Sequence, residues 1–98
     1  MAEAGDRRAR IEARLREALE ATHVEVEDES HLHAGHAGAR DGRGHFRATI
    51  VSERFQGLSR VAAQRLVFQV LAEEMERDIH ALAMRTFTPE AWAAESGG

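Results

Sequence analysis

The chain has 98 residues, 43% of them hydrophobic, and a net charge of −4 at neutral pH. That suffices for one domain with a single core, expected over 1–98 with an ordered part of about residues 6–93. It has no cysteine and no lysine, which excludes disulfides, thiol catalysis, thiolate-only metal sites and Schiff-base or P-loop lysine chemistry.

No apolar run approaches the ~20 residues of a membrane span, and Met1 to Arg8 lack a hydrophobic signal region, so a cytoplasmic protein with no membrane partner is expected. Charge is uneven along the chain. Residues 31–70 hold six arginines, two acids and four of the six histidines, between two acidic flanks. A basic middle of this kind suits an anionic partner, although scattered surface arginines are the commoner cause.

Ile11, Leu15, Ala18, Leu19 and Thr22 recur at helical spacing and predict an amphipathic helix over 6–21, with Asp6 as its cap. Glu12 and Arg16 are spaced to pair on its wet side, and His23 lies at its exit, a cation near a helix C-terminus. From His23 to Glu27 polar and apolar residues alternate, with Val24 and Val26 on one side. That is the pattern of a half-buried strand.

Residues 31–44 contain four glycines and no apolar period, and so read as a loop. About fourteen residues is long for a connection in so small a domain, and such loops tend to be functional. The loop holds His31, His33 and His36. Three imidazoles in so short a tract favour metal binding on composition, but without Cys, Asp or Glu at zinc-finger spacing they do not make a structural zinc site. A second strand follows at 45–51, with Phe46, Ala48 and Ile50 on one face, expected to pair antiparallel with 23–27.

Residues 52–59 read as a turn with a single helical turn. Ser59 is placed to cap a helix from Arg60 to about Arg77, its buried stripe expected to be Val61, Leu66, Val67, Val70, Leu71 and Met75, with Phe68 exposed. Next comes a strand of about 79–86, small and apolar apart from His80, expected to be central in the sheet because it has so few polar positions. Thr88-Pro89 predicts a capped short helix carrying Trp92, which seals the core or a sheet edge, and residues 94–98 are expected to fray. The order α-β-β-(α)-α-β-α makes an α+β fold, a small three-stranded mixed sheet with its helices on one face. The last strand, reached through a helix, should pair parallel with a neighbour. His80 alone reads either as a half-buried, hydrogen-bonded side chain or as a ligand held by a stiff strand.

Several of these stretches together resemble the BolA family. They are Asp28-Glu29-Ser30, His45-Phe46, Val51 to Ser59 (VSERFQGLS), Leu71-Ala72-Glu73-Glu74, Ile79 to Ala83 (IHALA) and Thr88 to Trp92 (TPEAW). The resemblance runs from about residue 7 to 93. It implies a class II KH-like fold, αββααβ with a short C-terminal helix. It further implies partnership with a monothiol glutaredoxin carrying a glutathione-ligated [2Fe-2S] cluster, the free protein being a monomer that forms a heterodimer with that partner. The family's ligand on the last strand corresponds to His80, and its ligand in the loop, His or Cys, to His33, which places the chain in the histidine branch.

Two features depart from the family. The Arg-His-Arg of the long helix is here Ala63-Gln64-Arg65, and the proline that usually follows the loop histidine is missing from Ala34-Gly35-His36. The second departure loosens the register, so His36 or His31 can stand in for His33, with His45 next in line. Two imidazoles on one iron are chemically sound, as Rieske centres show. They must be neutral to ligate.

A rival class is nucleic-acid binding leading to transcription regulation, in which Arg54, Arg60, Arg65 and Arg47 contact phosphate. The turn that would serve as the KH backbone clamp, Gly57-Leu58-Ser59-Arg60, keeps only its first glycine, so this interaction is expected to be weak. No activated nucleophile or carboxylate pair marks an enzyme.

Overall fold

The computed structural model describes residues 4–30 and 44–96. Helix α1 spans Ala4–Leu19, strand β1 His23–Asp28, and strand β2 Gly44–Val51. A 3₁₀ turn at Glu53–Phe55 precedes helices α2 (Arg60–Val70) and α3 (Ala72–Arg77), strand β3 (Ile79–Phe87) and helix α4 (Pro89–Ser96). The three strands form one sheet in the order β1-β2-β3. β1 pairs antiparallel with β2, and β2 pairs parallel with β3. The α+β mixed sheet read from the sequence is thus the observed one.

The central strand is β2, not β3 as expected. Ala81 and Ala83 make β3 look like a doubly covered strand, yet both are exposed. Alanine tolerates either environment, so a run of small residues marks low polarity rather than burial. The strand that does need cover is β2, where Phe46, Ala48 and Ile50 are buried on the helix side.

In α1 the inward stripe is Ile11, Leu15 and Leu19, each essentially inaccessible, one turn apart along one face. Ala18 and Thr22, expected to join it, are exposed. The helix begins at Ala4, so Asp6 lies within its first turn rather than capping it. The expected pairing on its wet side is present: Arg16 reaches Glu12 at 3.1 Å, and Arg8 reaches it at 2.9 Å.

Ser59 caps α2 as expected, its Oγ accepting from the Ala62 N–H at 3.1 Å. The buried frame is Ala63, Val67 and Leu71, at i, i+4 and i+8, and this turns Val61 outward to 55% exposure. The expected single helix over 60–77 is two, divided at Leu71 (φ −97°, ψ 18°). Bonds from Leu71 N–H to the Val67 carbonyl and from Met75 N–H to the Leu71 carbonyl span the division. The chain therefore bends there, with Leu71 fully buried.

Helices α1 to α3 close the core on one face. Val51 is buried but stands apart from that core cluster, because strand alternation turns it to the opposite face along with His23 and Phe87. Helix α4 lies on that side, so the helices are not all on one face of the sheet as expected. Trp92 stacks on His23 at 4.9 Å and meets Phe87 at 5.2 Å, and the Thr88 Oγ1 caps the helix by accepting from the Ala91 N–H. The helix continues through Ser96, two residues beyond where fraying was expected to begin. His23, rather than serving a helix terminus, is held between Trp92 and the Glu25 carboxylate, 2.8 Å from its Nε2.

Candidate functional site

The site is built where β2 and β3 begin together. The Gly44 N–H donates to the Asp78 carbonyl at 2.8 Å, which fixes the start of β2 beside the start of β3. The carboxylate of Asp78 is in turn held by Arg10 at 3.0 Å. The β2–β3 register shifts between Gly44, opposite Ile79, and His45, opposite Ala81, so that His80 falls in the irregularity. Bulges of this type re-aim side chains. Ile79 is fully buried while His80 is exposed, so the strand is anchored one residue before it presents the imidazole.

The His45 ring lies beside it. The two centroids are 5.3 Å apart and the ring planes are tilted by 50°. His45 is held through its backbone on both sides: its N–H donates to the Ser30 Oγ at 3.1 Å, and its carbonyl accepts from the Glu29 N–H at 2.8 Å. Ser30 is set by an Asx-type turn in which its N–H donates to the Asp28 carboxylate at 2.9 Å. The two ends of the 31–43 segment are therefore fastened together next to His80. His31, His33 and His36 belong to that segment and lie outside the described residues. Among the described residues, no group of three or more His, Cys, Asp or Glu is arranged to hold a metal ion.

His80 is exposed rather than half-buried. The closeness of His45 and His80 was legible only in part, since His45 appeared as a reserve. Its signal is the shared starting point of two parallel strands, each opening on a histidine.

The four arginines considered for nucleic acid do not form one surface. Arg47 points from the sheet face opposite α1 to α3 and is paired with Glu29 at 3.2 Å. Arg54 is paired with Glu20 at 3.3 Å. Arg60 and Arg65 are exposed on α2, and neither has a carboxylate partner among the described residues. The turn before them has Gly57 in the left-handed region (φ +76°), as its single glycine requires.

A sheet ordered β1-β2-β3 with a parallel last strand, its core face covered by α1 to α3, defines a class II KH-like α+β domain. The sequence profile of the family described as BolA-like protein matches residues 15–91, and the chain belongs to that family. It is 42% identical over 91 residues to BolA-like protein 1 of Mus musculus, covering 93% of this chain and 64% of the mouse protein. To the DNA-binding transcriptional regulator BolA of Escherichia coli K12 it is 40% identical over 85 residues, covering 87% of this chain and 78% of that protein. Among solved structures, the BolA domain of SufE1 from Arabidopsis thaliana superposes with a TM-score of 0.77 at 40% identity, covering 88% of this chain and 95% of that domain. Of the chloroplastic/mitochondrial SufE-like protein 1 of the same plant, the chain spans only 24% of the length. No helix among the described residues is long and apolar enough to cross a membrane.

Proposed function

We propose that this protein is the partner of a monothiol glutaredoxin and co-ligates a glutathione-bound [2Fe-2S] cluster, with a role in cluster assembly and trafficking or in signalling iron status. The observation that carries this reading is the exposed His80, set at a strand irregularity beside His45 and at the base of the histidine-rich segment. His80 supplies one imidazole. The second comes from His33, or from its neighbours His36 or His31, with His45 positioned as the alternative. When bound, the cluster supplies an iron open to nitrogen ligands, and imidazole on such an iron raises its potential. This chain's part is to present neutral imidazoles at the exposed end of a sheet. Lacking cysteine, it must leave thiolate donation to its partner and glutathione.

The test is co-expression with a monothiol glutaredoxin, followed by absorption and circular dichroism spectra of the purified complex. A [2Fe-2S] spectrum that differs from that of the glutaredoxin alone, and loses the difference in His80→Ala, is expected. A stable cluster on this protein alone, without thiol donors, refutes the shared arrangement.

A second reading, transcription regulation through nucleic-acid binding, is favoured by the names of bacterial relatives, which are called DNA-binding transcriptional regulators. Arg60 and Arg65 of α2, which have no carboxylate partner among the described residues, are its strongest support here. The expected binding is weak and falls steeply with salt.

A further inference from the structure

One residue separates helix α3 from strand β3: Asp78, the C-cap of the helix. It is 8% exposed, and each of its polar groups is engaged by a different element. Its N–H donates to the Glu74 carbonyl of α3 at 2.7 Å, and its carbonyl accepts from the Gly44 N–H of β2 at 2.8 Å. Its carboxylate pairs with Arg10 of α1 at 3.0 Å. Arg7, one turn earlier on α1, reaches the same carbonyl at 3.5 Å while its guanidinium lies over the Phe46 ring.

What is fixed at this junction decides where the next side chains point. Leu82 and Met84 pack on the core, so plain alternation would turn position 80 inward as well. The register prevents it. Gly44 stands opposite Ile79 and His45 opposite Ala81, which makes His80 an extra residue in the ladder. The inward place goes to Ile79, fully buried. His80 is left exposed, its ring 5.3 Å from that of His45. A ladder without the extra residue would set His80 opposite Gly44, on the core side, and would carry the Asp78 carbonyl away from the Gly44 N–H. The two arrangements differ in which residue the junction offers to β2, and Asp78 is that junction.

We propose that the Arg10–Asp78 ion pair is the positioning device for His80: it holds the extra residue in β3 and so keeps the imidazole turned out beside His45. Neither Arg10 nor Asp78 is a ligand; both act through His80, and the proposal rests on the reading of His80 as a cluster ligand. An acid is a poor choice for a helix C-terminus, where it meets the negative end of the helix dipole. A carboxylate this far buried also destabilises the fold unless it is paired. The cation of α1 offsets both, and it couples the first helix to the geometry of the last strand. Without Arg10 the carboxylate has to turn toward water, and the backbone that carries it turns with it.

The test compares the isotope-labelled parent with Arg10→Ala, Arg10→Lys and Asp78→Asn, each alone and in complex with a monothiol glutaredoxin. Arg10 is exposed, so its replacement opens no core, and thermal melting checks the fold of every variant. In Arg10→Ala and Asp78→Asn the nuclear Overhauser contact between the His45 and His80 rings is expected to be lost. The Gly44 amide should exchange faster, and the circular dichroism of the complex should move toward that of His80→Ala. Arg10→Lys keeps the charge and should restore all three. The double variant Arg10→Ala with Asp78→Asn should be no worse than either alone, since one interaction is removed in each case. A folded Arg10→Ala that keeps the ring contact and the parent spectrum overturns the proposal, as does a double variant whose losses add. A parent spectrum in His80→Ala refutes the ligand reading, and the proposal with it, so the His80 variant tells the two failures apart.

Discussion

Gly44→Ala is the most informative single change near the candidate site. Gly44 is buried where β2 begins, and its φ lies outside the left-handed region, so alanine meets no backbone objection there. The obstacle is space. A Cβ at residue 44 would overlap the Ser30 Oγ and would sit 2.9 Å from Cε2 of the Phe46 ring. Ser30 can rotate away only by giving up the bond it accepts from the His45 N–H, worth about 0.5–1.5 kcal/mol. Phe46 is almost fully buried, and overpacking a filled core costs about 1–3 kcal/mol. Restricting the unfolded chain returns about 0.4–1 kcal/mol. The expected net loss is about 2 kcal/mol, or a Tm lowered by about 10 °C in a domain of this size.

Urea and thermal denaturation of the isolated protein measure it, and the Ser30→Ala background separates the two contributions: Gly44→Ala should cost less there, since one overlap is gone. A Tm within about a degree of the parent would refute the packing argument. Gly57→Ala is the contrast. Nothing lies within 4 Å of its Cβ position, but φ is +76°, so the cost, about 1–2 kcal/mol, is conformational and insensitive to Ser30.

Ser52 is fully buried, its Oγ donating to the Leu19 carbonyl at 2.6 Å and accepting from the Arg54 N–H at 3.0 Å; Ser52→Ala should cost about 1–3 kcal/mol in equilibrium denaturation while leaving the spectrum of the glutaredoxin complex unchanged. His80→Ala should do the reverse, shifting stability by no more than about 0.5 kcal/mol because the ring is exposed while altering that spectrum. His33→Ala should be milder than the triple His31, His33 and His36 replacement; a triple variant with the parent spectrum would move the second ligand to His45. Arg16 first, then Arg8, holds the Glu12 carboxyl below its ordinary value of 4.5, against the opposing effect of burial. Its stabilisation is therefore present above that pH and fades as pH falls through the lowered value. Glu12→Gln should lose that part of the acid sensitivity in pH-dependent melting, and an unchanged acid limb would show the pairing to be idle.

What the chain discloses before folding depends on whether a pattern has one physical cause. The alternation of Val24 and Val26, or of Phe46, Ala48 and Ile50, can only mean one covered face, and these residues are buried. The cap residues Ser59 and Thr88 were legible for the same reason, since each precedes a helix whose first N–H groups need an acceptor. Alanine-rich stretches have two causes, and both large misreadings come from them. Ala81 and Ala83 made β3 look central when it is an edge. Val61 looked like the better buried residue than Ala63, but the helix settled into the frame of Ala63, Val67 and Leu71, leaving Val61 outside. Of the candidate site, His80 was legible as a residue but not as a geometry. The register shift that exposes it arises from the fit between Gly44 and Ile79 across two strands, and no local signal encodes a pairing between residues so far apart in sequence.

The edge position of β3 bears on what the histidines can do. A ligand on a central strand would be hemmed in by neighbours on both sides, and its release would require the sheet to open. His80 sits instead on an outer strand, just after the fully buried Ile79, with β2 beside it and no second neighbouring strand among the described residues. Its backbone is held while its ring is open to a second molecule. The candidate loop ligands come from a segment whose two ends are tied beside it through Ser30, Gly44 and Asp78. On the proposed reading one imidazole stands on a strand and the other on a connection longer than most in so small a domain, whose length can be changed without disturbing the sheet. That asymmetry suits a group handed from one protein to another. The same reasoning predicts that shortening the 31–43 segment, by removing Gly38 to Gly42 and keeping His31, His33 and His36, will slow cluster transfer from the glutaredoxin complex to an apo-acceptor, followed by circular dichroism. Transfer as fast as in the parent, with the complex spectrum intact, would show that the length of this connection plays no part.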